Sequence, residues 1–153
     1  MAAEIVSIVY QPVRPVGAPL SFARVPLETA NLIAGHGIEG DRKGGHPRRQ
    51  LNILSYETVQ ELAAEGFQVA PGALGEQIVI RGVDVAALAS GERLQLGDAV
   101  VEVVSLREPC ERFEAAQNKP LEQAIGRVGV MARVVTGGAI RVGDPVRTLQ
   151  VTV

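Results

Sequence analysis

The only cysteine of the chain stands in the stretch Arg107-Glu108-Pro109-Cys110-Glu111-Arg112, between a proline and a run of charges. A thiol that merely fills a core sits among apolar neighbours. This one is placed where water and arginines reach it. Arg107 and Arg112 favour the thiolate, the form that attacks electrophiles and binds metals, while Glu108 and Glu111 oppose it. The local residues leave a reactive and an inert cysteine both open. A single cysteine does exclude an internal disulfide, and it excludes a four-cysteine zinc or iron–sulfur site within one chain.

The second stretch with chemical content is "HGIEGDRKGGHPRRQ" (36–50), which carries Arg42, Lys43, Arg48, Arg49 and both histidines, His36 and His46. Glycines such as Gly37 and Gly40 let the backbone turn with positive φ and bring N–H groups close to a ligand. Combined with clustered cations, such turns make anion cradles. The alternative is a solvated loop whose cations pair with Glu39 and Asp41, each pair worth little. Asp41 follows a glycine, where aspartate commonly fixes a turn or neutralises a neighbour; an acid–base pair with Glu39 is the other reading. Arg48 and Arg49 are adjacent on an extended segment, so their side chains should point to opposite faces. His36 and His46 lack the i, i+4 spacing of a helical metal pair. No G-x-x-x-x-G-K-[ST] phosphate loop is present.

These residues need a scaffold, and the sequence predicts a β-rich one. EIVSIVY (4–10), VPLETANLIA (25–34), RQLNIL (49–54), GEQIVIRG, RLQLG, AVVEVVSL, GVMARVV, AIRVG and VRTLQV are rich in Val, Ile and Leu and separated by glycine turns. Ser55 opens a predicted helix over 55–66, with Glu57 at its positive end, Val59, Leu62 and Ala63 on one face, and Gly66 as the stop. Pro120 suits the first turn of a second short helix over 120–127. "RLQLGDAVVEV" and "AIRVGDPVRTL" read as two Gly-Asp hairpins, by common turn chemistry or by internal duplication. At least seven strands with so few helices predict a mainly β fold, a closed or nearly closed β-barrel with one or two peripheral helices, since closure removes apolar edges. Pro109, which lacks an N–H, ends the strand before Cys110 and leaves the thiol at the barrel mouth. The loop 36–49 joins two strands and can fold over that same mouth.

Length and composition bound the rest. A chain of 153 residues predicts one domain, 1–153, able to bury a sizeable core. Net charge is −2 and aromatics are 3%, so neither the basic face nor the stacking rings of a nucleic-acid binder are expected. MAAEIVSIVY has no basic region of a signal peptide, and no apolar run approaches a membrane span. A soluble, cytoplasmic protein is the expectation.

In order, "GIEGDRK" (37–43), "RRQLNILSYETVQELAAEG" (48–66), "PGALGEQIVIRGVDV" (71–85), "RLQLGDAVVEVV" (93–104), Pro109-Cys110 and "ARVVTGGAIRVGDPV" (132–146) resemble the MOSC family, named for the carboxy-terminal domain of molybdenum cofactor sulfurases. The resemblance covers nearly the whole chain, most clearly from about residue 30 onward. It implies a strand-rich barrel. It implies that Cys110 matches the family's functional cysteine, proposed to carry sulfur or to ligate molybdenum. Gly37, Gly40, Asp41 and Arg42 match the family's G-x-x-G-D-[RK] segment beside the site, which makes the loop with Lys43, Arg48 and Arg49 an expected anion cradle. Where the family often has Gly-Glu-Asn, this chain has Gly75-Glu76-Gln77. No desulfurase module and no pyridoxal-phosphate lysine motif accompany the domain, so pyridoxal phosphate is not expected from this chain. Three functions follow from the resemblance. The first is molybdopterin binding with reductase-type chemistry, fed by an electron-donor protein because the chain has no flavin or iron–sulfur motif. The second is sulfur carriage as a Cys110 persulfide loaded by an external desulfurase. The third is a molybdopterin carrier without turnover.

Overall fold

The computed structural model describes residues 2–13, 16–18 and 23–149. The β-branched runs form strands β1 (Glu4–Tyr10), β2 (Val25–Leu27), β3 (Thr29–Ile33), β4 (Gly37–Ile38), β5 (Leu51–Ser55), β6 (Ile78–Arg81), β7 (Arg93–Leu96), β8 (Ala99–Leu106), β9 (Val130–Thr136), β10 (Gly138–Arg141) and β11 (Val146–Leu149). Two helices accompany them, α1 (Tyr56–Ala64) and α2 (Glu111–Gln117). The large sheet has the order β11-β7-β8-β9-β5-β6-β1-β2, and β10-β3-β4 form a smaller one. All pairs are antiparallel except β5–β6. A parallel pair needs a long crossover, and α1 supplies it.

The fold is therefore mainly β with a large mixed sheet, but the expected closed barrel is not formed as a continuous ladder among the described residues. The sheet begins at β11 and ends at β2. What joins β1 back toward β11 is one bridge, Glu4 to Pro145, with backbone bonds Ile5 N–H to Asp144 O (2.9 Å), Gly143 N–H to Ile5 O (2.8 Å) and Val146 N–H to Ala3 O (3.0 Å). Pro145 has no N–H, so the pairing cannot run through it.

Other expectations change in detail. The predicted strand 25–34 is broken at Glu28, and its halves β2 and β3 join different sheets. Gly97-Asp98 makes the expected β7–β8 hairpin, with Gly97 at φ +55. Gly143-Asp144 turns the chain but makes no hairpin, since β10 pairs with β3 and β11 with β7. Of the predicted run VRTLQV, Gln150 and Val151 lie outside the described residues. Ser55 precedes α1 but does not cap it: its hydroxyl donates to Val83 O (2.6 Å) and accepts from Val85 N–H (3.0 Å), tying the crossover together. The second predicted helix shrinks to a single 3₁₀ turn, Leu121–Gln123, and the second α-helix forms earlier, directly after Cys110.

Two cores result. Ile53, Ile78, Ile80, Val101, Val103 and Val130 pack within the curl of the large sheet. Leu54, Leu62, Phe67, Leu74, Val79 and Phe113 pack on its outer side, beneath α1 and α2. β5 is buried along its whole length because it faces both cores. The outer core matters for chemistry, for it anchors the helix that presents Cys110.

Candidate functional site

β8 stops at Leu106, and Arg107 N–H then bonds Gly129 O at 2.9 Å. Pro109 follows, and Cys110 takes the N-cap position of α2 with extended backbone, φ −119 and ψ 174. Its thiol is exposed. The thiol pKa is held below its ordinary value, chiefly by the backbone N–H of Phe113, which outweighs partial burial; Arg112 N–H and the charges of Arg107 and Arg112 add to it. These amides, at the start of α2, are the donors that stabilise the charged form of the sulfur. The folded environment of Cys110 thus favours ionisation relative to an ordinary thiol.

Two side chains dock α2 and so fix where the sulfur sits. Phe113 is buried and packs on Phe67, ring centroids 6.3 Å apart. Gln117, also buried, accepts from Gln68 N–H (2.7 Å) and donates to Gln68 O (2.9 Å) and Ala73 O (3.0 Å). Asn118 ends the helix in the left-handed region at φ +55.

Arg107 is the cation most firmly built into the site. Its Nη1 donates to Leu74 O at 2.5 Å, and its guanidinium lies 5.9 Å from the centroid of the Phe113 ring. A Cβ on Gly75 would come within 2.5 Å of its Nη2, so only glycine leaves room for it. Burial pushes the Arg107 pKa down and the Cys110 thiolate pushes it back up. Arg24 lies across Gly72, where a Cβ would meet its Cδ at 2.5 Å.

The basic loop arrives at the same place in part. Lys43 keeps solvent contact along its side chain, yet surrounding protein strips enough hydration to push its pKa down, and Arg24, Arg107 and Arg49 push the same way against Asp41. Lys43, Arg49, Arg24 and Arg107 are therefore coupled in one positive field, which reaches Cys110 through Arg107. Arg42 is exposed on the turn, its N–H donating to Gln11 O at 2.8 Å. Arg48 is exposed as well. Asp41 is buried inside the loop: Oδ1 accepts from Gln11 N–H (2.9 Å) and Oδ2 from Gln77 Nε2 (3.4 Å). It fixes the turn, as aspartate after glycine does. Gly40 turns at φ +82, and Gly37 sits against Gln50, where a Cβ would come 2.9 Å from Gln50 O. His46 Nδ1 accepts from both Arg48 N–H and Arg49 N–H at 3.1 Å, and His36 stacks on Gly44. Both histidines shape the loop, and no cluster of three metal-binding side chains occurs among the described residues.

Gln77, the departure from Gly-Glu-Asn, is a buried connector. Its Oε1 accepts from Asn52 N–H (2.7 Å), and its Nε2 reaches Gln50 O as well as Asp41 (each 3.4 Å). Arg24 and Glu76 were not among the sequence candidates. The signal for them was the pair Gly72 and Gly75 in "PGALGEQ", glycines that permit close approach. An open groove of 480 Å³ lies beyond Gly40, lined by Tyr10, Leu27, Thr29 and Asn31 among others, but neither Cys110 nor the four cations line it.

Comparison with known proteins supports the fold. A model of the MOSC domain matches residues 40–147. Among solved structures, the YuaD protein of Bacillus subtilis superposes with a TM-score of 0.79 at 22% identity, covering 98% of each chain. YiiM of Geobacillus stearothermophilus gives 0.75 at 20% identity, over 97% of this chain and 75% of that one. YiiM of Escherichia coli gives 0.70 at 22% identity, over 97% and 70%. No curated protein sequence matches.

Proposed function

Because the chain belongs to the MOSC domain family, we propose that it binds a molybdenum–pterin cofactor, with Cys110 as the thiolate toward the metal and the Lys43–Arg49–Arg24–Arg107 field as the cradle for the anionic part. The observation that carries this reading is the exposed Cys110 thiol, its pKa lowered, next to Arg107, which belongs to that cluster of cations. The donor set fits. A thiolate is a soft ligand suited to such a metal, and clustered guanidinium and ammonium groups suit a phosphate. Like charges held close together are costly: burial lowers the Lys43 pKa, and Arg24, Arg107 and Arg49 lower it further, so an anion would relieve the cluster.

When bound, the cofactor would supply electron-transfer chemistry at its metal. The chain's own contribution is different. The start of α2 lowers the pKa of the sulfur, Arg107 balances the charge of its ionised form, and the turn built on Gly37, Gly40 and Asp41 carries Arg42 and Lys43 to the cradle's edge. Any reductase activity would draw electrons from a partner protein. The second reading is a sulfur carrier, loaded on Cys110 by an external desulfurase. It is favoured by the thiol's exposure at a helix start, where another protein's active site can reach it.

Protein expressed in cells that make the cofactor should retain molybdenum and pterin in equal amounts. Cys110→Ser should lose the metal while its melting temperature stays within a few degrees, since an exposed residue contributes little to stability. Protein without metal or pterin, but with a persulfide on Cys110, would overturn the cofactor reading in favour of the second.

A further inference from the structure

We propose that Glu76 is a positioning residue for the candidate site: it builds the turn 72–76 that seats the Arg107 guanidinium against α2, the helix that begins at Cys110. The proposal rests on the reading of Cys110 as the reactive centre. Glu76 is 2% exposed, and a carboxylate kept that dry is costly unless every lone pair is used. Its Oε2 accepts from Gly72 N–H at 2.9 Å and its Oε1 from Leu74 N–H at 3.1 Å. Two acceptor oxygens on one side chain thus close the turn from inside. A glutamine has one acceptor and would turn an NH₂ group toward the other N–H, so the requirement is for a carboxylate.

The turn so closed presents two positions without a Cβ, Gly72 and Gly75, and an arginine lies against each, Arg24 and Arg107. Between the two glycines, Leu74 offers its carbonyl to Arg107 Nη1. Asn52 Nδ2 holds the far side of the turn through Gly75 O at 3.2 Å. The same guanidinium faces Phe113 of α2, so one planar cation spans from the Glu76 turn to the helix that begins at Cys110. Burial raises the Glu76 pKa, and the backbone N–H groups of Gly72, Glu76 and Leu74 and the Arg24 charge oppose that rise. The carboxylate is therefore held by its turn and by a cation that the turn itself seats.

The sign of the effect separates this role from simple electrostatics. Through space alone, the Glu76 charge disfavours a nearby thiolate, so its removal would speed thiolate reactions. Through Arg107, its removal releases the cation that favours the thiolate, and the reactions slow. The test is the rate of Cys110 alkylation by iodoacetamide across pH, in the full chain, with folding checked by thermal melting. At neutral pH, Glu76→Gln should slow alkylation about three- to tenfold, the effect of losing one nearby cation from a partly screened thiolate. Arg107→Gln should slow it similarly, and the double variant should be no slower than Arg107→Gln alone. Glu76→Asp keeps the charge but is one methylene too short to reach both amides, and it should also slow the reaction; it decides the matter if Glu76→Gln does not fold. Unchanged or faster alkylation in these variants, or multiplying effects in the double, overturns the proposal. A wild-type thiol no more reactive than a small free thiol instead refutes the reading of Cys110 itself.

Discussion

Gln117 lies seven residues from Cys110, yet replacing it should alter both stability and thiol chemistry. Its side-chain amide makes three hydrogen bonds, to Gln68 N–H, Gln68 O and Ala73 O, in a buried position. Each is worth about 0.5–1.5 kcal/mol net. Gln117→Ala should therefore destabilise by about 3 kcal/mol, a fall in melting temperature of about 6–12 °C for a domain of this size. α2 is short, a length that is marginal without tertiary contacts, so its docking is what keeps the Phe113 and Arg112 amides aimed at the sulfur. Loosened docking should raise the thiol pKa and shift the pH profile of alkylation upward. Urea denaturation and iodoacetamide kinetics on the same preparation check both effects. A stability change below about 0.5 kcal/mol, with an unchanged pH profile, would show that Gln117 does not anchor the helix.

Gly129→Ala should cost about 2–4 kcal/mol in chemical denaturation, because its Cβ would come 2.3 Å from Ile53 O at φ +88, whereas Gly143→Ala, at φ +95 with open space around it, should cost only about 1 kcal/mol of backbone strain. The Cys110 pKa is depressed on folding, so its ionisation stabilises the native state fully above the ordinary thiol value of 9.0, and that contribution is lost as pH falls through the folded value. The melting temperature of wild type relative to Cys110→Ser should rise with pH over that window and stay flat below it.

The sequence by itself determined the local units. Alternating Val, Ile and Leu runs set most strands, the pattern of Val59, Leu62 and Gly66 set α1, and Gly97 set a tight hairpin. The same local chemistry singled out Cys110 and the basic loop 36–50, because a thiol among charges and cations among glycines carry their meaning in their neighbours. Tertiary structure decided what depends on distant partners. Ser55 left its capping role because Val83 and Val85 compete for its hydroxyl across the crossover. The strand 25–34 broke because its halves found partners in different sheets. The helix after Cys110 carries a charged pattern that hides its buried side, since only Phe113 and Gln117 face inward. The site itself was least legible: Arg24, Arg107 and Glu76 meet through a turn, a strand end and a buried carboxylate far apart in the chain. Their electrostatic coupling falls off with distance in space and is indifferent to separation in sequence, so only folding could bring Arg24 and Glu76 to Arg107.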